Sequence, residues 1–308
     1  MIEYLYLGRV GYDEGLRLQA EIAGLVAEGR LPNVLLLLEH PPVLTLGRNA
    51  NRANVLATDE VLARRGVTVH EINRGGDVTY HGPGQLVGYP IFDLRALRNR
   101  NGPRMGPVDF VRLMEEALIR LCAGFGVQAG RVPGLTGVWC GVDGGFRVQG
   151  SVVEGQGLGT EGLGTGDKSA GAERKIGAIG IHVAKGITSH GFAFNVTTDL
   201  RDFGLIVPCG IADHAVTSLE HELERKPVRE SGRPVDLPTL EAVAHRAARQ
   251  FGAVFDQPMA RAESLAALRA QAVAAARAAP EFPAEDTPLR VPAEVERLLH
   301  KEIRPVQA

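Results

Sequence analysis

Short apolar runs of strand length recur from the N-terminus to about residue 196. They predict strands at Met1–Arg9, Val34–Glu39, Val43–Gly47, Val67–Ile72, Leu86–Leu94, Val138–Cys140, Lys175–Val183 and Thr188–Val196. Apolar residues at helical spacing predict helices at Tyr12–Glu28, Asp59–Arg65, Pro107–Phe125, Val216–Glu224 and Pro238–Phe251. The last two strands flank Ala184–Gly186 and are expected to form a hairpin. This mixture predicts an α/β fold of the α+β type, with a mixed central sheet flanked by helices rather than a strictly parallel doubly wound sheet.

Two segments depart from this pattern. Residues 141–174 contain 11 glycines in 34 positions, which predicts a flexible surface insertion, because so little apolar surface can order it. A dinucleotide-binding loop is the alternative, but it requires a strand before the glycines and a helix after them. Residues 259–308 are rich in alanine, arginine and proline, with a helix predicted at Arg261–Ala279. The predicted organisation is therefore one domain over residues 1–258, interrupted by the insertion, and a C-terminal appendage over residues 259–308.

Composition narrows the classes of function. The formal net charge is −2 and aromatic residues make up 5%, so neither a basic face nor base-stacking platforms support nucleic-acid binding. The N-terminus lacks a basic segment followed by an apolar one, and the apolar runs are shorter than a membrane span. Three scattered cysteines predict neither a disulfide framework nor a zinc site. These features predict a cytoplasmic protein without a metal and without a membrane role.

The segment Arg74–Tyr89, RGGDVTYHGPGQLVGY, is the most unusual stretch of the chain. Five glycines and a proline in sixteen residues indicate turns and close backbone approaches on either side of a short β-type segment. Such a pattern is typical of a binding loop, with polar side chains presented between the glycines. Arg74, Thr79 and His81 are its candidate contacts for a ligand. The competing interpretations are that Arg74 pairs with a carboxylate such as Asp77 and that His81 only braces the loop.

Cys209 is the candidate nucleophile, because the neighbouring proline and glycine leave its sulfur little shielded. A nearby cation would raise its thiolate fraction, and Lys175, at the start of an apolar strand, could supply that charge. The ordinary alternatives are a small buried cysteine and a solvated lysine. Spacing alone does not bring these two residues together. Cys122 and Cys140 are expected in the core, and the remaining histidines show no spacing typical of metal ligands.

Four segments in order resemble the lipoyl(octanoyl) transferase family. They are Leu38–Arg48 (LEHPPVLTLGR), Arg74–Tyr89, Lys175–Gly180 (KIGAIG) and Val207–Ile211 (VPCGI). The resemblance implies the fold of the biotin and lipoate protein ligases. It also implies that Cys209 carries an acyl thioester, with Lys175 lowering the pKa of its thiol. The residues that it implies around the acyl group are Arg74, Gly75, Gly76, Asp77, Val78, Thr79, Tyr80, His81, Ala178, Ile179, Gly180, Gly191, Phe192 and Ala193.

The implied activity is that of an acyltransferase without a cofactor. An octanoyl group passes from octanoyl-acyl carrier protein to the cysteine, and then to a lysine of a lipoyl domain. This is the first step of endogenous protein lipoylation. The implied acceptors are the lipoyl domains of 2-oxoacid dehydrogenases and the glycine cleavage H protein. The insertion and the appendage are the two departures from the family pattern.

Two rival functions remain open at this point. An ATP-dependent lipoate or biotin protein ligase would share the fold but need no cysteine, so Cys209 with Lys175 favours the transferase. A non-catalytic carrier would be favoured by a cysteine that cannot titrate or lies far from Lys175.

Overall fold

The computed structural model describes residues 1–97, 104–142, 173–208, 214–225 and 237–278. The glycine-rich insertion beyond Val142, the segment 209–213 with Cys209 and the tail after Ala278 lie outside the described residues. The described strands are β1 (Ile2–Arg9), β2 (Asn33–Glu39), β3 (Val43–Leu46), β4 (Thr68–Glu71), β5 (Val78–His81), β6 (Gln85–Ile91), β7 (Ala129–Gly130), β8 (Val138–Cys140), β9 (Arg174–Ala184), β10 (Ile187–Asn195), β11 (Ala215–Val216) and β12 (Met259–Arg261).

The described helices are α1 (Tyr12–Ala27), α2 (Asp59–Arg64), α3 (Pro107–Gly124), α4 (Leu219–Glu224), α5 (Leu240–Phe255) and α6 (Leu265–Ala278). Short 3-10 helices lie at Arg52–Asn54 and Leu200–Leu205. Helix α4 begins later than the sequence pattern predicts. Val216 pairs in β11, and the Ser218 hydroxyl accepts the His221 N–H as the N-cap, so the prediction of a helix from Val216 was wrong.

A large mixed sheet runs in the order β12-β1-β2-β6-β10-β9-β8-β7 among the described residues, with β11 beside β9. The β12–β1–β2 pairs and the β11–β9 pair are parallel, and the other pairs are antiparallel. A second sheet has the order β4-β3-β5. The predicted mixed sheet flanked by helices is confirmed, as is the hairpin between β9 and β10.

Alternation along β2 shows why the sheet is covered on both faces. Leu35 and Leu37 point into a core beneath α3 and α5, while Leu36 and Leu38 point into a second core beneath α1 and α6. Every one of these leucines is fully buried, which explains the continuous apolar run in the sequence. The small sheet has its own core with the 3-10 helix Leu200–Leu205. The cavity described below lies where the two sheets meet.

The segment after residue 258 contributes to this architecture. Strand β12 pairs with β1 from Ile2↔Met259 to Tyr4↔Arg261, and Leu268 and Ala272 of α6 are buried against the α1 side of the sheet. Arg269 also forms an ion pair with Glu21 of α1 (Nε–Oε1 2.7 Å). A division of the chain near residue 258 stays a prediction, but residues 259–278 extend the sheet and cover one of its faces.

Candidate active site

The segment Arg74–Asp77, which immediately precedes β5, crosses the large sheet at β9. The Gly75 N–H donates to Ile181 O of β9 (2.9 Å), and a Cβ on Gly180 would lie 2.6 Å from Gly75 O. Gly76 has a φ of +94°, a conformation that residues with side chains rarely adopt. The glycines therefore serve a close backbone contact between the segment and the strand pair β9–β10, as the sequence pattern indicates.

Two charged side chains fix this crossing segment in place. The buried Arg74 guanidinium donates to the Thr45 carbonyl (Nη2–O 2.7 Å), to the Thr45 hydroxyl and to Gly75 O. The Asp77 carboxylate accepts from the Asn51 and Val78 backbone N–H groups (3.1 and 2.7 Å) and from the Asn54 side chain. Both residues thus hold the segment against β3 and the 3-10 helix that follows it.

A cavity of about 200 Å³ lies between this segment and β9–β10. Twelve of the residues that the family resemblance implies line it: Arg74, Gly75, Gly76, Asp77, Thr79, His81, Ala178, Ile179, Gly180, Gly191, Phe192 and Ala193. Val78 and Tyr80 lie on the opposite face of β5, since side chains alternate along a strand. They are buried in the core of the small sheet, and the Tyr80 hydroxyl donates to Asp202 (2.6 Å).

Lys175 borders the same cavity, from the start of β9. The residue is 7% exposed, and its Nζ lies 4.6 Å from the centre of the Trp139 ring, on the neighbouring strand β8. A Cβ on Gly137 would lie 3.3 Å from Lys175 Cε, so the glycine leaves room for the lysine stem. This distance is within the range of a cation–π contact between the ammonium and the indole ring.

Cys209 lies outside the described residues. Pro208, the residue before it, lines a small cavity together with Lys175, Ala178 and Ala193. The two described cysteines are core residues, as expected, because burial raises the pKa of the Cys140 thiol to about 12 and that of Cys122 well above its usual range. Neither is suited to act as a thiolate at neutral pH.

His81 is held as a neutral ring. The Gln85 side-chain N–H₂ donates to Tyr80 O and Asn195 Oδ1, so Gln85 Oε1 must accept from His81 Nδ1 (2.7 Å). Burial, followed by repulsion from His40, lowers the pKa of His81 from 6.5 to about 3. With the proton on Nδ1, the Nε2 atom is left as an acceptor. This network braces the loop, as the structural interpretation of His81 predicts, and keeps the ring uncharged at neutral pH.

Five residues around the cavity were not singled out as ligand contacts by the sequence: Tyr12, Val87, Tyr89, Thr136 and His190. Behind the cavity, His40 Nδ1 donates to Val10 O (2.6 Å), and its Nε2 therefore accepts from the Tyr89 hydroxyl (2.7 Å). Burial lowers the pKa of His40 and of His190 to about 4. We refer to His40, His81 and His190 as the cavity histidines. Their separation along the chain offers no spacing signal that could have grouped them.

The described residues contain no cluster of three side chains suited to hold a metal ion. Within the same ranges, no helix is both long enough and apolar enough to cross a bilayer.

The chain matches the lipoyl protein ligase A/B catalytic domain over residues 11–241. It is 56% identical over 256 residues to the octanoyltransferase of Acidobacterium capsulatum, with 83% of this chain and 90% of that protein covered. It is 46% identical over 265 residues to the octanoyltransferase of Koribacter versatilis, with 86% and 88% covered. This chain belongs to the octanoyltransferase family. The expected class of enzyme, an acyltransferase, is thereby confirmed.

Solved structures share the fold at much lower identity. A bipartite lipoate protein ligase from Thermoplasma acidophilum aligns with a TM-score of 0.56 at 15% identity, covering 89% of this chain and 91% of that one. A lipoate-protein ligase A bound with ATP aligns with a TM-score of 0.55 at 16% identity, covering 89% and 94%. The expected fold of the lipoate ligases is therefore confirmed for this octanoyltransferase family member.

Proposed function

We propose that this protein transfers an octanoyl group from octanoyl-acyl carrier protein to a lysine of lipoyl domains through a thioester on Cys209. The observation that carries the proposal is a cavity bordered by the buried Lys175, which also lines a smaller cavity together with Pro208. Adjacent Cα atoms are about 3.8 Å apart, so the chain link between Pro208 and Cys209 supports the pairing of the thiol with Lys175.

The first half-reaction uses the Cys209 thiolate. Its sulfur attacks the thioester carbonyl, a new C–S bond forms, and the carrier thiolate leaves and takes up a proton. The Lys175 ammonium favours the thiolate by direct charge attraction. The acyl chain lies along Ala178, Gly180, Gly191 and Ala193, where small side chains leave space between the strands.

The second half-reaction forms an amide. The neutral amine of the acceptor lysine attacks the acyl-enzyme carbonyl, a C–N bond forms and the C–S bond to Cys209 breaks. The amine loses its proton and the cysteine thiolate is restored. Thioester exchange is nearly isoenergetic and amide formation is downhill, so no ATP is required. This distinguishes the proposal from the rival ATP-dependent ligase of the same fold.

The test is octanoylation of a lipoyl domain, followed by mass spectrometry, with octanoyl-acyl carrier protein as donor and no nucleotide. Wild type is expected to modify one lysine, whereas Cys209→Ala and Lys175→Met lose transfer by at least about a hundredfold. Lys185→Met is the matched control, because Lys185 is exposed in the β9–β10 turn. Transfer that requires ATP, or that survives Cys209→Ala, would contradict the proposal and favour the ligase.

A further inference from the structure

His190 separates the cavity from a second, larger space. It borders the cavity on one side and an outer groove of about 410 Å³ on the other. The other residues that line the outer groove are Leu16, Gln19, Ala20, Ala23, Glu71, Ile72, Asn73 and Ser189. His190 is the residue that lines both spaces, and it is only 6% exposed.

Two hydrogen bonds and an uncommon backbone conformation fix the position of His190. Its backbone has a φ of +57°, an uncommon conformation for a residue with a side chain. Its backbone N–H donates to Gln19 Oε1 of α1 (2.7 Å), and its Nε2 lies 2.8 Å from Asn73 Oδ1. Such a conformation persists only where the surroundings determine it, and here bonds from two separate segments do so.

His190 and Lys175 lie at opposite ends of the cavity. His190 pairs with Ile181, six residues along β9 from Lys175, which corresponds to roughly 20 Å between the backbone positions. The two side chains fill part of this length. An extended octanoyl chain spans about 9 Å, at roughly 1.2 Å per bond as in an extended backbone. A chain anchored near Lys175 therefore runs towards His190.

We propose that His190 sets the upper limit of acyl chain length by closing the far end of the cavity against the outer groove. The inference rests on the proposed octanoyl transfer. It deepens that function by naming the residue that discriminates against longer acyl chains. A chain that is several methylenes longer than octanoyl meets the fixed imidazole in the wild type. Removal of that ring joins the cavity to the groove and gives the extra methylenes an apolar path past Leu16, Ala20 and Ala23.

The test compares acyl-enzyme formation with acyl carrier protein loaded with octanoyl, dodecanoyl or tetradecanoyl groups. His190→Gly suits the left-handed backbone and removes the ring. It is expected to reduce the preference for octanoyl over tetradecanoyl by at least about tenfold, the scale on which apolar pockets discriminate. A residue that only supports the fold would lower the rates with all donors and leave their ratio unchanged. His190→Asn, which also tolerates this backbone, should shift the ratio in the same direction.

Ala23→Leu is the matched control, since it narrows the outer groove without touching the cavity. Alone it should leave octanoyl use unchanged, and combined with His190→Gly it should restore the preference for octanoyl. Wild type that forms no octanoyl adduct would overturn the proposed function itself. A different result would overturn only the assignment of His190. In that case wild type forms the octanoyl adduct, while His190→Gly and His190→Asn fold and keep the wild-type ratio of octanoyl to tetradecanoyl rates.

Discussion

Glu115 of α3 holds the chain segment that leads to the site, and replacing its carboxylate should lower the free energy of unfolding. Its carboxylate is fully buried and accepts from Arg112 (Oε2–Nη1 2.7 Å), from Arg131 (Oε2–Nε 3.0 Å) and from the Gly137 backbone N–H (Oε1–N 3.1 Å). Gly137 in turn adjoins the stem of Lys175. The carboxylate therefore connects helix α3 to the start of β8, beside the point where Lys175 borders the cavity.

The expected magnitude follows from these three bonds. The Arg112 side chain is 52% exposed, so water already solvates it and its pair with Glu115 contributes at most about 1 kcal/mol. The bond to the more buried Arg131 contributes about 1.5–3 kcal/mol, and an unpaired Gly137 N–H costs a further 1–3 kcal/mol or so. Because contributions from neighbouring contacts do not add in full, Glu115→Ala should lower the free energy of unfolding by about 3–5 kcal/mol, the range for a broken buried ion pair. Glu115→Gln keeps an acceptor for Gly137 and should cost about 2 kcal/mol.

Urea unfolding, followed by circular dichroism, measures both variants, and fluorescence of the single tryptophan, Trp139, reports the site itself. Glu116→Gln is the control: its carboxylate pairs with partly exposed arginines, and its loss should cost about 1 kcal/mol or less. The reasoning is refuted if Glu115→Ala costs less than about 1 kcal/mol, or if it matches Glu116→Gln.

Three further outcomes are expected. Trp139→Leu should lower the transfer rate by about tenfold, because it removes the cation–π contact with Lys175. Trp139→Phe keeps an aromatic face and should keep most of the rate. An equal loss of transfer rate in the two variants would contradict a role for the ring. Lowering the pH from about 7 to about 5 should reduce the free energy of unfolding by about 2 kcal/mol for each cavity histidine, because burial holds their folded pKa values near 3–4 while the unfolded rings bind protons below about 6.5. That contribution is complete above the unfolded pKa and is lost as the pH falls towards the folded one; unchanged urea midpoints would contradict it. Deletion of residues 259–308 should lower the melting temperature far more than deletion of residues 279–308, because only the longer deletion removes β12 and α6. Equal melting temperatures of the two deletion variants would show that neither element stabilises the sheet.

Local sequence patterns predict most of the described elements because each depends on its own periodicity. The amphipathic spacing of α3 and the continuous apolar run of β2 each report burial on a definite face. Strand β12 shows the limit of this reasoning. Its three residues have no pattern of their own and form a strand only because β1 offers a parallel edge.

The candidate site likewise has features that local sequence predicts and features that depend on contacts between distant segments. The glycines of Arg74–Tyr89 indicate a close backbone approach, but only the pairing of Gly75 with Ile181 shows what they approach. Lys175 and the crossing segment meet through a sheet whose strand order differs from the order of the chain. His190 escapes prediction for a related reason. Its role as a partition depends on a backbone conformation and on contacts from α1 and from Asn73, which are distant in the sequence.

Intact-protein mass spectrometry of the acyl-enzyme tests the central claim most directly. After incubation with octanoyl-acyl carrier protein alone, wild type should gain one octanoyl mass that hydroxylamine removes, as expected for a thioester. Cys209→Ala should gain none, Lys175→Met should gain it at least about a hundredfold more slowly, and Lys185→Met should behave as wild type. An unmodified wild type, or an adduct that persists in Cys209→Ala, would contradict the account.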